Sequence, residues 1–132
     1  MTTAMTSVML GTTDVDRLHA WYAAILPPEH DQTQGQYRIL GYGGFYLFLD
    51  SRDDVAAGNP EPGRFLLNFE VDDVRTVAAV ADEHGATWIA PVEDREGSFF
   101  GTLADPDGNA VQVIELSAAA RAEMATRGGS GS

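Results

Sequence analysis

The stretch Thr102-Leu103-Ala104-Asp105-Pro106-Asp107-Gly108-Asn109-Ala110-Val111-Gln112-Val113-Ile114-Glu115-Leu116 decides how the rest of the chain is read. It reads as strand, tight turn, strand. Pro106 fixes φ at the first central turn position, and Asp107, Gly108 and Asn109 tolerate turn or left-handed geometry, so the chain reverses there. Val111, Val113 and β-branched Ile114 then continue as a buried or half-buried strand.

That hairpin resembles the final hairpin of the vicinal oxygen chelate superfamily, which includes glyoxalase I, bleomycin-resistance proteins, fosfomycin-resistance enzymes and extradiol dioxygenases. Members carry an Asp-Pro-x-Gly-Asn turn followed by a strand. In the metal enzymes the third residue after the Asn is a liganding Glu. Here it is Gln112, whose neutral amide oxygen is a far weaker partner for a divalent cation.

Working outward, residues 1–6 read as a loose lead-in and Ser7-Val8-Met9-Leu10-Gly11-Thr12 as a weakly patterned strand. Asp14 fits a helix N-cap, and Leu18, Trp21, Tyr22 and Ile25 follow at the spacing of one apolar helix stripe. Pro27-Pro28 ends that helix. Residues 29–35 are polar and accommodate at most a short edge strand. Tyr37-Arg38-Ile39-Leu40 and Phe45-Tyr46-Leu47-Phe48-Leu49 are clear strands joined through Gly41-Tyr42-Gly43-Gly44. Residues 51–63, rich in Gly and Pro, read as a linker near the midpoint of the chain.

After the linker the pattern restarts. Residues 65–71 form a strand, Asp73 is a second N-cap, and Val74, Val77, Ala78 and Ala81 make a second stripe that Gly85 terminates. Residues 86–90, 99–103 and 110–116 supply three more strands. A shift of 59 residues lays Asp14 on Asp73, the two stripes on each other, and Ser7 on Leu66. A slightly larger shift lays Gly44 on Gly108 and Phe48 on Gln112. A ferredoxin-like βαββαβ domain explains neither this doubling nor the Asp-Pro-Asp-Gly-Asn turn.

The resemblance implies an α+β fold: two βαβββ modules, about residues 6–50 and 64–116, forming a curved, open mixed-sheet cup. They make one domain over residues 1–117. Residues 118–132 are expected as a flexible tail, with residues 117–127 compatible with an Ala-rich helix and Gly128-Gly129-Ser130-Gly131-Ser132 resembling a tag remnant.

In metal-using relatives the ligands sit at four positions symmetric across the repeat. The resemblance places these at Ser7, Leu66, Phe48 (or Tyr46, two residues back) and Gln112. Leu and Phe offer no donor atom, so no metal and no other cofactor is expected. His19, His30 and His84 fall in a helix, a polar loop and a helix end, and read as solvated.

Strand alternation puts Ser7, Met9, Tyr46, Phe48, Leu66, Asn68, Gln112 and Ile114 on one face, with Trp88 and Phe100 of less secure parity. Aromatic walls with a few amides suit a small organic ligand, and equally suit a core that fills itself. Glu70 and Asp50 share the parity of these residues and are the candidate general bases. Glu115 points the other way from Gln112.

Three functions follow. The first is metal-independent binding of a small organic molecule in the manner of bleomycin-resistance proteins, including sequestration of a cationic or aromatic natural product. The second is a lyase or isomerase of the same fold using Glu70 or Asp50. The third is an interaction module with a filled cup. The resemblance also implies a homodimer.

Composition removes other classes. With 20 acidic against 8 basic residues the net charge is −12, which repels a phosphate backbone and argues against nucleic acid. There is no cysteine, hence no disulfide framework, thiolate-held zinc or thiol nucleophile. No long apolar run or signal-peptide pattern appears, so a cytoplasmic protein without membrane contact is expected. Nucleotide-binding glycine loops and hydrolase motifs are absent from the sequence.

Overall fold

Two aspartates start the two principal helices in the same way. Asp14 accepts a hydrogen bond from the Arg17 amide at 3.1 Å and caps α1 (Val15–Ile25). Asp73 accepts from the Arg75 amide at 3.0 Å and from the Thr76 hydroxyl at 3.1 Å, and caps α2 (Val74–Glu83). Those bonds, the Arg75 amide foremost, hold the Asp73 carboxyl below its ordinary range. The computed structural model of the chain describes residues 2–130, with side chains as far as residue 126.

Each helix lies in a βαβββ module. In the first, β1 (Ser7–Thr12), α1, β2 (His30–Gln34), β3 (Tyr37–Tyr42) and β4 (Phe45–Ser51) follow in sequence, and the sheet order is β1-β4-β3-β2. In the second, β5 (Leu66–Glu70), α2, β6 (Thr87–Arg95), β7 (Ser98–Ala104) and β8 (Ala110–Glu115) give the order β5-β8-β7-β6. β1 runs parallel to β4 and β5 parallel to β8, while the remaining pairs are antiparallel. The parallel pairs require a long crossover, and the helix is that crossover. The polar residues before Tyr37 do form the edge strand β2, and the linker contains one 3-10 turn, Pro62–Arg64.

The chain divides into two compact units: residues up to Pro60 with Asp105–Gly108, and Glu61–Ala104 with the chain from Asn109 onward. In the first unit Leu10, Leu40, Leu47 and Leu49 are buried from the sheet and Leu18, Tyr22 and Ile25 from α1. In the second, Leu103, Val111 and Val113 are buried, as are Val74 and Ala81 of α2. Burying a side chain of this size contributes about 1.5–3 kcal/mol, so these two sets account for the helix face and the sheet face in each unit.

The turn Asp105–Gly108 is counted with the first unit because its carboxylates are held there. Tyr22 donates its hydroxyl to Asp105 Oδ2 at 2.7 Å, and Asp105 Oδ1 accepts the Asp107 amide at 2.9 Å. Gly108 closes the turn by donating to the Asp105 carbonyl at 2.8 Å, with φ of 82°, a conformation that favours glycine. Asn59 donates to the Asp107 carbonyl at 2.7 Å, and Arg17 to the Pro106 carbonyl.

The expected tail carries a helix over the stretch read as Ala-rich. Ala118–Ser130 is a helix, α3. Ser117 caps it, accepting the Ala120 amide on its hydroxyl at 3.1 Å, and an Ala-rich run has high helix propensity. Gly131 and Ser132, read as part of a tag remnant, lie outside the described residues. Among the described residues no helix is long and apolar enough to cross a membrane.

Candidate ligand-binding site

In the first unit the helix covers the face of the sheet that carries Leu10, Leu40, Leu47 and Leu49. The opposite face carries Ser7, Met9, Tyr46, Phe48 and Asp50. Ser7 lies opposite Tyr46, Met9 opposite Phe48 and Gly11 opposite Asp50, so all five expected residues share one side. Met9 is 49% exposed and Tyr46 37% exposed, and Phe48 is half-buried with its ring edge-on to Tyr37 at 6.2 Å between centroids. Ile39, opposite Phe48 on β3, continues the row and is buried.

Asp50 is held by two partners. It is 3% exposed, accepts Gln36 Nε2 at 2.7 Å, and pairs with Arg52 at 3.2 Å. It lies at the floor of an open depression of about 530 Å³ bounded by Thr13, Gln36, Asp50, Ser51, Arg52, Asp53 and Asp54. Hydrogen bonds to Asp54 and Asp50 raise the Arg52 pKa and hold Asp54 below its ordinary range. A second depression of about 450 Å³ is bounded by Glu29, His30, Asp31, Gln32 and Tyr46. His19, read as solvated, is instead engaged: it pairs with Asp31 at 2.8 Å and meets Arg38 at 2.9 Å.

In the second unit Leu66, Asn68 and Glu70 lie opposite Ala110, Gln112 and Ile114, and Phe100 lies opposite Ile114. These residues occupy the face that does not carry Val111, Val113 and Leu103. Leu66 is 40% exposed. Glu70 is exposed, with Arg121 of α3 at 4.0 Å. Glu115 is on the helix side, as expected, and accepts the Val74 amide at 2.9 Å at the start of α2.

Trp88 corrects the expected set. It pairs with Leu103 rather than with Thr102, donates its indole N–H to Asp82 of α2 at 2.8 Å, and belongs to the helix side. Trp88 shares that face with Val92, both reaching toward Gly101, while the register shifts on either side of Ala90 put Ala90 opposite Thr102. Thr102, opposite Gln112 and 8% exposed, was missed as a site residue, although its parity with Phe100 would have placed it there.

Ser7, Phe48, Leu66 and Gln112, the positions at which the resemblance aligns metal ligands, lie two per unit, diagonally across β1 and β4 and across β5 and β8. Ser7 is diagonal to Phe48, and Leu66 to Gln112, by the same offset. Residue types at these places do not fit a divalent metal: two hydrocarbon side chains, one hydroxyl and one amide lack the several anionic or imidazole donors such an ion needs. Among the described residues no three His, Asp or Glu side chains are grouped to replace them.

A model of the glyoxalase-like domain matches residues 7–114. The chain belongs to that family. Solved structures share its fold. A glyoxalase/bleomycin resistance protein/dioxygenase family enzyme from Burkholderia phytofirmans PsJN superposes with a TM-score of 0.70 at 20% identity, covering 87% of this chain and 100% of the other. Lactoylglutathione lyase from Agrobacterium tumefaciens gives 0.64 at 24% identity over 86% and 94%. TioX from Micromonospora sp. ML1 gives 0.67 at 17% identity over 86% and 97%. No curated protein matches the sequence. This glyoxalase-like domain therefore has the doubled βαβββ architecture of its family.

Proposed function

We propose that this glyoxalase-like domain binds a small organic molecule without a metal ion, in the manner of a sequestering protein for an aromatic or cationic natural product. The observation that carries the reading is the character of the sheet faces that α1 and α2 do not cover. In the first unit Met9 and Tyr46 remain substantially exposed on the face that carries Phe48, and in the second Leu66 remains so on the face that carries Phe100 and Ile114. Apolar surface left in water costs about 25 cal/mol per Å² relative to a covered state, which a ligand recovers. Ser7 on the first unit's face, and Asn68 and Gln112 on the second's, supply polar groups for orientation, and the net charge of −12 favours cationic guests. Pairing into a homodimer is part of the proposal, checked by sedimentation equilibrium.

A thermal-shift screen against aromatic and cationic aromatic compounds tests it. The midpoint is expected to rise with ligand concentration, because a ligand that binds only the folded state stabilises it by mass action. Phe48→Ala is expected to reduce the shift. Flat curves across the panel contradict the reading and favour the interaction module with a filled interior.

One observation favours the lyase or isomerase reading as a second choice: the buried Asp50 carboxylate borders a depression large enough for a small substrate. In that case Asp50→Asn abolishes turnover and leaves substrate affinity intact, and Glu70→Gln is the matching test of the other carboxylate.

A further inference from the structure

Three polar side chains stand side by side on the sheet face of the second unit that α2 does not cover. Asn68 on β5 is opposite Gln112 on β8, and Gln112 is opposite Thr102 on β7. Neighbouring strands are about 4.8 Å apart, so the three side chains span roughly 10 Å in one line. None of them makes a side-chain hydrogen bond to another described residue. Asn68 is exposed, Gln112 half-buried and Thr102 8% exposed, so the row's hydrogen-bonding capacity is open to a ligand in place of water.

The equivalent line in the first unit is chemically opposite. Met9, Phe48 and Ile39 occupy it across β1, β4 and β3, and none of them can form a strong hydrogen bond. The amide row is therefore not a requirement of the fold.

Its chemistry is narrow. Two carboxamides offer both N–H donors and carbonyl acceptors, and a threonine hydroxyl offers either. The row itself carries no formal charge. On one side its neighbours are Leu66, Ala110 and Ala104. On the other they are Glu70, Ile114, Phe100 and Glu93, where the Arg95 guanidinium lies 5.0 Å from the Phe100 ring centre. Charged groups thus flank the row at one edge and do not enter it. A neutral planar group with a donor and an acceptor side by side, such as a lactam, imide, urea or carboxamide, matches it.

We infer that the Asn68–Gln112–Thr102 row recognises a lactam-type or carboxamide edge of an aromatic ligand. This inference rests on the proposed binding function and narrows the ligand class within it. It selects the aromatic, neutral guest over the cationic one.

Three fragments of one shape separate the possibilities: 2-quinolinone, which carries the lactam edge; 2-methoxyquinoline, which lacks the N–H; and N-methylquinolinium, which is a cation. Affinities are measured by NMR titration of the full chain. 2-Quinolinone is expected to bind about tenfold or more tightly than the ether, the effect of one or two hydrogen bonds. The near-isosteric Thr102→Val and the Gln112→Met and Asn68→Leu variants are each expected to erase that preference, so that 2-quinolinone binds no more tightly than 2-methoxyquinoline does to the same variant. Amide chemical shifts of each variant establish that it is folded, and Thr102→Val alters shape least. Equal affinity for lactam and ether, or tightest binding of the cation, overturns the inference and leaves the binding function standing. Failure of all three fragments to bind at millimolar concentration counts against both.

Discussion

Tyr22 and Asp105, separated by 83 residues in sequence, share a buried 2.7 Å hydrogen bond. The hydroxyl donates, and the carboxylate that accepts it opens the Asp-Pro-Asp-Gly turn. Burial first, then the Asp105 charge, raises the Tyr22 pKa well above its ordinary 10.0. Replacing Tyr22 with Phe removes the donor and keeps the ring. Losing a bond to a buried charged group costs about 1–3 kcal/mol, measurable as a lower urea midpoint. The pH dependence has a defined sign. A folded pKa raised above the unfolded value gives stability that is whole below pH 10.0 and lost as pH climbs through the folded value. The deficit of the Tyr22→Phe variant is therefore expected to narrow above pH 10.

Asp107 behaves differently from its neighbour. Its Oδ2 is buried without a hydrogen-bond partner among the described residues. Desolvation, with a smaller push from Asp105 and Asp14, raises its pKa above 3.8, against the hydrogen bond from Thr12 and the charge of Arg17. With the folded value above the unfolded one, its favourable contribution is present in acid below 3.8 and lost as pH rises through the folded value. At neutral pH the charged form is thus a net cost. Asp107→Asn is expected to raise the neutral melting temperature by about 3 °C, the scale of a modest single-site effect in a domain of this length. The gain should disappear as wild type is acidified through the carboxylate range, and calorimetry at a series of pH values checks it.

Gly101 sits where two side chains of β6 cross β7. A Cβ there falls 2.9 Å from Trp88 Cζ3 and 2.9 Å from Val92 Cγ2. Both must shift to admit a methyl group, and overpacking of this kind costs about 1–3 kcal/mol. Gly101→Ala is expected to lower the denaturant midpoint accordingly and to move the Trp88 fluorescence.

Glu115 ties the last strand to the second helix through its bond to the Val74 amide. Removing a carboxylate that satisfies a helix N-terminal amide costs about 0.5–2 kcal/mol, so Glu115→Ala should destabilise by that amount. Glu115→Gln retains an acceptor oxygen and should lose less. Comparison of the two by urea melts separates hydrogen bonding from charge.

The doubled helix caps, the final hairpin and the edge strand before Tyr37 were legible because each depends on local chemistry: an aspartate ahead of an apolar stripe, Pro and Gly in a turn, polar residues with no buried partner. The shared face of Ser7, Met9, Tyr46 and Phe48, and of Leu66, Asn68, Gln112 and Ile114, followed from simple alternation. Trp88 did not, because which face of β6 turns to the helix is set by its pairing with β7, Trp88 against Leu103, which no pattern within β6 encodes. Asp50 read as a possible base because its partners Gln36 and Arg52 belong to a loop and a strand end whose geometry no local pattern encodes. The same is true of His19, engaged by Asp31 and Arg38 from two different strands.

The metal content of the purified protein tests the central claim most directly. Protein prepared in medium supplemented with zinc, nickel, manganese and iron, dialysed and analysed by mass spectrometry of the elements is expected to hold well under one equivalent of any of them. A stoichiometric, dialysis-resistant ion would contradict the account, because Ser7, Phe48, Leu66 and Gln112 could not be holding it.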